Sequence, residues 1–278
     1  AYLTPYSYAI YSLYTTNKNV YSKLRNGVNV KVSVGENYDT VKLINWEDPE
    51  DNDFYISEEV TLKGNKEKRP DIVLYINGIA IAVLELKRGT VDIGEGVRQN
   101  ISNLQERFIK PFFATNQILF AGNDSEGLRY GTISSPEKFY LSWKEDVEDN
   151  TRLLLDKYLI KMCSKERIIE LIYDFIVFET GIKKLPRAHQ YFGVKESQKY
   201  VNRSEGGIIW HTQGSGKSIS MVYLAKWILE NNPKARVAIV TDRDELDKQI
   251  EDVFTDSDEI IFRTKSGKDL MDKLGQPS

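Results

Sequence analysis

Pro70-Asp71-Ile72-Val73-Leu74-Tyr75-Ile76-Asn77-Gly78-Ile79-Ala80-Ile81-Ala82-Val83-Leu84-Glu85-Leu86-Lys87 decides how the first half of this chain folds. Two apolar runs, rich in β-branched residues, flank Asn77-Gly78, the dipeptide whose ease with positive φ suits the tight turn of a hairpin. Both runs are apolar at consecutive rather than alternate positions, so the sheet they start is expected to be covered on both faces. Charge returns at their ends, with Asp71 before the first strand and Glu85 and Lys87 continuing the second. Charges that extend an apolar strand need partners or a task, because burying them alone is costly.

Glu85 and Lys87, two apart on a strand, point to one face. Where Asp71 points depends on register. A strictly paired two-residue turn sets Asp71 opposite Leu84 and turns its carboxylate away from Glu85, whereas a three-residue loop or a bulge pairs it with Glu85. The shifted register is expected, because it gathers two carboxylates and an ammonium in the pattern PD, thirteen residues, ExK. That set suits phosphodiester hydrolysis. Two carboxylates hold a hard divalent cation such as Mg²⁺, and the ammonium orients or deprotonates water and offsets charge in the transition state.

Around this hairpin the pattern is that of a mixed α/β domain ending near Asn150. A tyrosine-rich helix is expected over Tyr6 to Leu24, a strand over Phe54 to Leu62, a helix from Val97 to Phe108, and strands at Ile118 to Ala121 and Phe139 to Leu141. Residues 151–185 form a two-helix connector closed by Gly181. From 186 onward, Gly207-Ile208-Ile209-Trp210, a glycine loop, a helix ending at Asn231-Asn232-Pro233, and Val237-Ala238-Ile239-Val240 predict a βαβ unit with a parallel sheet.

That loop, Gln213-Gly214-Ser215-Gly216-Lys217-Ser218, has the setting a phosphate-binding loop requires. Its glycines let backbone N–H groups converge on phosphate oxygens, Lys217 reaches the terminal phosphates, and the Ser218 hydroxyl can ligate Mg²⁺. His211 stands where the general pattern has a small residue. Asp242 is a candidate for the carboxylate that a phosphate loop needs on a neighbouring strand if it hydrolyses its nucleotide.

The chain has 278 residues, enough for two domains, with 38 basic and 41 acidic residues and 41% hydrophobic residues. Global disorder is excluded by that apolar content. No apolar run of about 18 residues and no signal pattern occurs, so a cytoplasmic chain without a membrane span is expected. One cysteine, Cys163, and two histidines exclude an internal disulfide and a zinc cluster, leaving any metal to oxygen ligands. A net charge of −3 argues against a general coat of DNA-binding charge, leaving a local basic strip such as Lys63, Lys66, Lys68 and Arg69 to follow phosphate. A start at Ala1 and an end at Ser278 suggest a piece of a longer chain.

Arg69-Pro70-Asp71-Ile72-Val73-Leu74, Asn77-Gly78 and Glu85-Leu86-Lys87 resemble the nuclease motifs of HsdR, the motor and endonuclease subunit of type I restriction enzymes. His211 to Ser218 resembles its first motor motif, and Thr241-Asp242-Arg243 with Leu246 and Gln249 its next. The resemblance implies a PD-(D/E)xK endonuclease-like domain at 1–150, with a mixed sheet flanked by helices, and an incomplete RecA-like helicase domain at 186–278. It implies Mg²⁺-dependent cleavage of double-stranded DNA at Asp71, Glu85 and Lys87, ATP-driven translocation, and methylase and specificity subunits as partners. Gln99 matches a helical glutamine of the family, although Asn103 stands where a Tyr is expected four residues on. Arg187 and Gln190 resemble its adenine-reading segment, which favours ATP over GTP. Glu58 or Glu59 is a candidate for a further carboxylate. Later motor motifs have no counterpart here. Two other readings remain open on the residues alone: another nuclease-helicase fusion of defence or repair, and a non-catalytic DNA- or partner-binding module with a nucleotide-switch loop.

Overall fold

In the computed structural model, which describes residues 12–31, 33, 37–145, 148–149, 151–242, 244–256 and 260–275, the chain divides into two compact units. The first holds residues 1–176 and 181–185, the second 177–180 and 186–278.

The first unit opens with helix α1 (Leu13–Asn26), where the Ser12 hydroxyl accepts from the Thr15 N–H at 3.2 Å and so caps an orphan donor of the first turn. The helix was expected from Tyr6, but residues 6–11 lie outside the described residues. A small hairpin, β1 (Val28–Val30) with β2 (Asp39–Val41), precedes the main sheet. That sheet has six strands in sequence order, β3 (Phe54–Glu58), β4 (Ile72–Ile76), β5 (Ile79–Leu86), β6 (Ile118–Asn123), β7 (Gly127–Gly131) and β8 (Leu141–Ser142). Only β5 and β6 are parallel, so the sheet is mixed. Parallel neighbours need a crossover, and helix α2 (Gly94–Asn103) lies in it.

The β4–β5 hairpin combines both devices weighed for its register. Ile76 pairs with Ile79 across a two-residue turn whose Asn77 and Gly78 take φ of 50° and 76°. The pairing then slips, from Tyr75 with Ala80 to Leu74 with Ala82, leaving Ile81 as the extra residue of a bulge. Ile72 consequently pairs with Leu84.

Both faces of the sheet are covered. On one, Val73, Val83, Leu119 and Ala121 pack with Val97 of α2 and with Phe113. On the other, Leu154, Leu155 and Tyr158 of α3 (Leu154–Met162) approach Gly122 and Gly127 so closely that a Cβ on either glycine would meet a side chain within 3 Å. Helix α3 and the next, α4 (Lys165–Asp174), thus belong to the first unit rather than to a separate connector.

Several local expectations are corrected. The strand from Phe54 ends at Glu58, because Glu59 turns the chain with φ of 51°. Helix α2 starts and ends earlier than the span from Val97 to Phe108. Phe139 closes a short 3-10 turn, with only Leu141 and Ser142 in a strand, and β7 was not foreseen because its five residues are bounded by Gly127 and Gly131. Gly181 does not close a helix. It has φ of 75° between β9 (Val177–Glu179) and β10 (Ile182–Lys184).

The second unit contains α5 (Ala188–Asn202), α6 (Lys217–Asn231), α7 (Asp244–Asp256) and α8 (Gly267–Gly275). The strands expected at 207–210 and 237–240 are absent among the described residues, and so is their parallel sheet. A ladder needs a partner edge for each strand, and neither segment pairs with another among the described residues; Trp210 is 90% and Val240 91% exposed. No described helix is long and apolar enough to cross a membrane.

Candidate functional site

The bulge at Ile81 decides what meets beneath α2. Continuing the register past Ile72 and Leu84 brings Asp71 beside Glu85, on the face that carries Val73 and Val83. The Asp71 carboxylate accepts the Leu86 N–H through Oδ2 at 2.7 Å, which anchors it to the second strand. Glu85 is fully buried. Its Oε1 accepts from the Asn103 side-chain amide of α2 at 3.0 Å, and its Oε2 receives no donor among the described residues. Burial, and next the Asp71 carboxylate, push the Glu85 carboxyl up to about 8, while Lys87 and Lys68 pull the other way. Two carboxylates this close share the space only if one keeps its proton or a cation joins them.

Lys87 lies one residue beyond β5, and its ammonium donates to Gln99 Oε1 at 2.6 Å and to the Leu86 carbonyl at 3.1 Å. Helix α2 comes this near because Gly96 faces the sheet: a Cβ there would sit 3.1 Å from Ala121 Cβ and 3.3 Å from the Glu85 carbonyl. Lys68 sits with its ammonium 4.1 Å from the Phe108 ring centre and within electrostatic reach of Glu85.

Other candidates stay apart. Glu58 is exposed on β3, and the Glu59 carboxylate pairs with Arg69 at 3.4 Å. Lys63 and Lys66 are exposed. Among the described residues no three of His, Cys, Asp and Glu converge as a metal cluster.

In the second unit, the loop ahead of α6 turns through Gly214 and Gly216, with φ of 75° and 86°, conformations that favour glycine. Its lysine, Lys217, donates to the carbonyls of His211 at 3.3 Å and Thr212 at 3.1 Å. Ser218 is in the first turn of α6, Gln213 is exposed, and Ser215 is buried. Gln190 spans two tasks: Oε1 accepts the Arg187 N–H at 2.8 Å, and Nε2 donates to the Gly216 carbonyl at 2.9 Å. Asp242 is exposed, and Arg243 lies outside the described residues.

Comparison with known proteins finds two families along the chain. Residues 4–138 match the family described as type I restriction enzyme R protein N terminus, and residues 189–278 match the SWI2/SNF2 ATPase family. The chain is 31% identical, over 95% of its length, to the type I restriction enzyme HindI endonuclease subunit of Haemophilus influenzae. This chain belongs to the type I restriction R-protein family. A further relative, the type I restriction enzyme SauCOLORF180P endonuclease subunit of Staphylococcus aureus, is 28% identical over 73% of the chain. The chain spans about a quarter of the length of these R proteins, 27% and 22% respectively.

Two residues at these candidate sites carry no signal of their own in the sequence. Asn103 figures there only as a departure from Tyr, yet it holds Glu85; its spacing of four from Gln99 puts both on one side of a helix and is the available signal. His189 lies between Arg187 and Gln190 in sequence, and its ring meets the loop.

Proposed function

We propose that this chain carries the DNA-cleaving site and the ATP-binding loop of a type I restriction endonuclease subunit. The observation that carries the reading is the bulged register, with Asp71 and Glu85 side by side and Lys87 held by Gln99 beneath one helix. The first unit is read as a PD-(D/E)xK-like nuclease domain, and residues 186–278 as the opening of a RecA-like motor, which the SWI2/SNF2 match supports.

The pair fits Mg²⁺. Its donors are all oxygen, Glu85 Oε2 is buried without a donor, and its carboxyl holds a proton that a cation would replace. Bound there, Mg²⁺ supplies Lewis acidity toward the scissile phosphate and acidifies a water. Asp71 and Glu85 hold the ion. Lys87, oriented by Gln99, sets a positive charge where negative charge develops, and Lys68 adds a second. In the motor loop, the backbone amides of Gln213 to Lys217 cradle ATP phosphates, the Lys217 ammonium exchanges its carbonyl partners for phosphate oxygens, and Ser218 ligates the nucleotide's Mg²⁺. Arg187 is read on the adenine side; Gln190, which the resemblance puts there too, has its side-chain oxygen and nitrogen engaged by the Arg187 N–H and the Gly216 carbonyl. Double-stranded DNA is the substrate, methylase and specificity subunits are the partners, and the complex works in the cytoplasm.

The test is cleavage of circular plasmid by the full-length parent protein assembled with those subunits, Mg²⁺ and ATP. Lys87→Ala is expected to hydrolyse ATP without cutting, and Lys217→Ala to do neither. Normal cutting by Lys87→Ala overturns the nuclease assignment.

A further inference from the structure

Both histidines of the chain, His189 and His211, meet at the phosphate loop, with ring centres 4.9 Å apart and ring planes at 85°. His189 projects from the first turn of α5, and its Nε2 stands 3.1 Å from the Ser215 carbonyl oxygen. A carbonyl only accepts, so Nε2 carries the proton. The next residue, Gln190, donates to the next carbonyl of the loop, that of Gly216, at 2.9 Å. Two consecutive side chains of α5 thus grip two consecutive carbonyls.

The consequence lies on the other side of each peptide. In a trans peptide C=O and N–H point in opposite directions, so fixing the Ser215 and Gly216 carbonyls toward α5 turns the N–H groups of Gly216 and Lys217 away from it. Those are two of the amides a phosphate loop offers its anion. Helix α5 also leaves room for the second ring: a Cβ on Gly193 would lie 3.3 Å from His211 Cε1 and Nε2. The edge of one imidazole against the face of the other keeps His189 from swinging out of line.

We infer that His189 is a positioning residue for nucleotide binding, holding the Ser215 peptide so that the loop amides are aimed before the phosphate arrives. The inference rests on the reading of this loop as the ATP site. Preformed amides lower the ordering cost of binding, so the loss of the tether falls on affinity for ATP.

The experiment measures binding of a fluorescent ATP analogue, and KM and kcat for ATP hydrolysis, by the full-length parent protein with its partner subunits, comparing wild type, His189→Phe, His189→Gln and Lys217→Ala. Phe keeps an aromatic ring and removes the donor; Gln restores an amide N–H at the same reach. His189→Phe is expected to weaken binding about fivefold to tenfold, the worth of one hydrogen bond, with the change in KM rather than kcat. His189→Gln is expected to recover it. Wild-type affinity in His189→Phe overturns the inference, as does equal loss in Phe and Gln, which makes the ring's packing the cause. If Lys217→Ala also binds normally, the ATP-site reading itself fails; if it alone loses binding, only the role of His189 does.

Discussion

Replacing Glu85 by Gln tests the carboxylate pair without metal, DNA or turnover. The Glu85 carboxyl stands near 8 in the folded chain against an ordinary 4.5, chiefly because it is buried and next because Asp71 faces it. Between those values the folded chain keeps a proton that the unfolded chain has released. Stability without metal therefore falls as pH rises through this window, by up to about 1.4 kcal/mol per pH unit, and levels off above about 8 and below about 4.5. A shift of 8 − 4.5 = 3.5 corresponds to a total of about 5 kcal/mol. A glutamine in this place cannot ionise. Its carbonyl still accepts from Asn103, and its neutral amide sets no second negative charge against the Asp71 carboxylate. Urea unfolding in chelator across pH 5 to 9 is expected to give nearly equal stabilities at the acid end and a growing advantage for Glu85→Gln toward pH 8. Unfolding curves offset by the same amount at every pH refute the argument, because they mean that the Glu85 proton is not what sets the stability.

Removing the Asn103 amide leaves a buried carboxyl oxygen without its donor, so Asn103→Ala is expected to destabilise the first unit by about 1 to 3 kcal/mol in denaturant titrations. Gln99→Leu releases the Lys87 ammonium from a charge-assisted bond of 2.6 Å; plasmid nicking assays are expected to show a loss of about tenfold to a hundredfold, with ATP hydrolysis retained. Gly96→Val forces α2 off the sheet, and is expected to lower the thermal midpoint with a cost of about 1 to 3 kcal/mol. Gly216→Ala puts a Cβ 2.5 Å from Gln190 Nε2 at a φ of 86°, so equilibrium dialysis with ATP is expected to show affinity lowered about tenfold to a hundredfold.

The sequence made the centre of the first unit readable and its margins less so. Asn77-Gly78 fixed the hairpin, and the need to unite Asp71 with Glu85 called for a shifted register; that the slip lies at Ile81 depends on packing across several strands, which no local pattern encodes. β7, with a glycine at each end, has little strand propensity of its own and forms because β6 offers it an edge. Phe175 and Ile176 carry helical spacing past Asp174, where α4 ends. The opposite failure occurred at 207–210 and 237–240, where strong β propensity meets no partner strand among the described residues. At the candidate sites, Gln99 was singled out by the family resemblance, whereas Asn103 and His189 were not, since amides and imidazoles reveal their use only through what lies opposite.

The bulge makes the first site a matter of counting as much as of chemistry. Every residue of the pair and its ammonium can be present, and the strands equally apolar, yet the same hairpin paired strictly, without the slip at Ile81, would set Asp71 opposite Leu84 and turn its carboxylate to the far side of the sheet. Such a chain would look intact to any comparison of residue types. Among relatives of this protein, then, the carboxylate interval and the hairpin slip are to be read together: this interval needs a bulge to bring the two carboxylates to one face, and an interval one residue shorter would reach the same face with none.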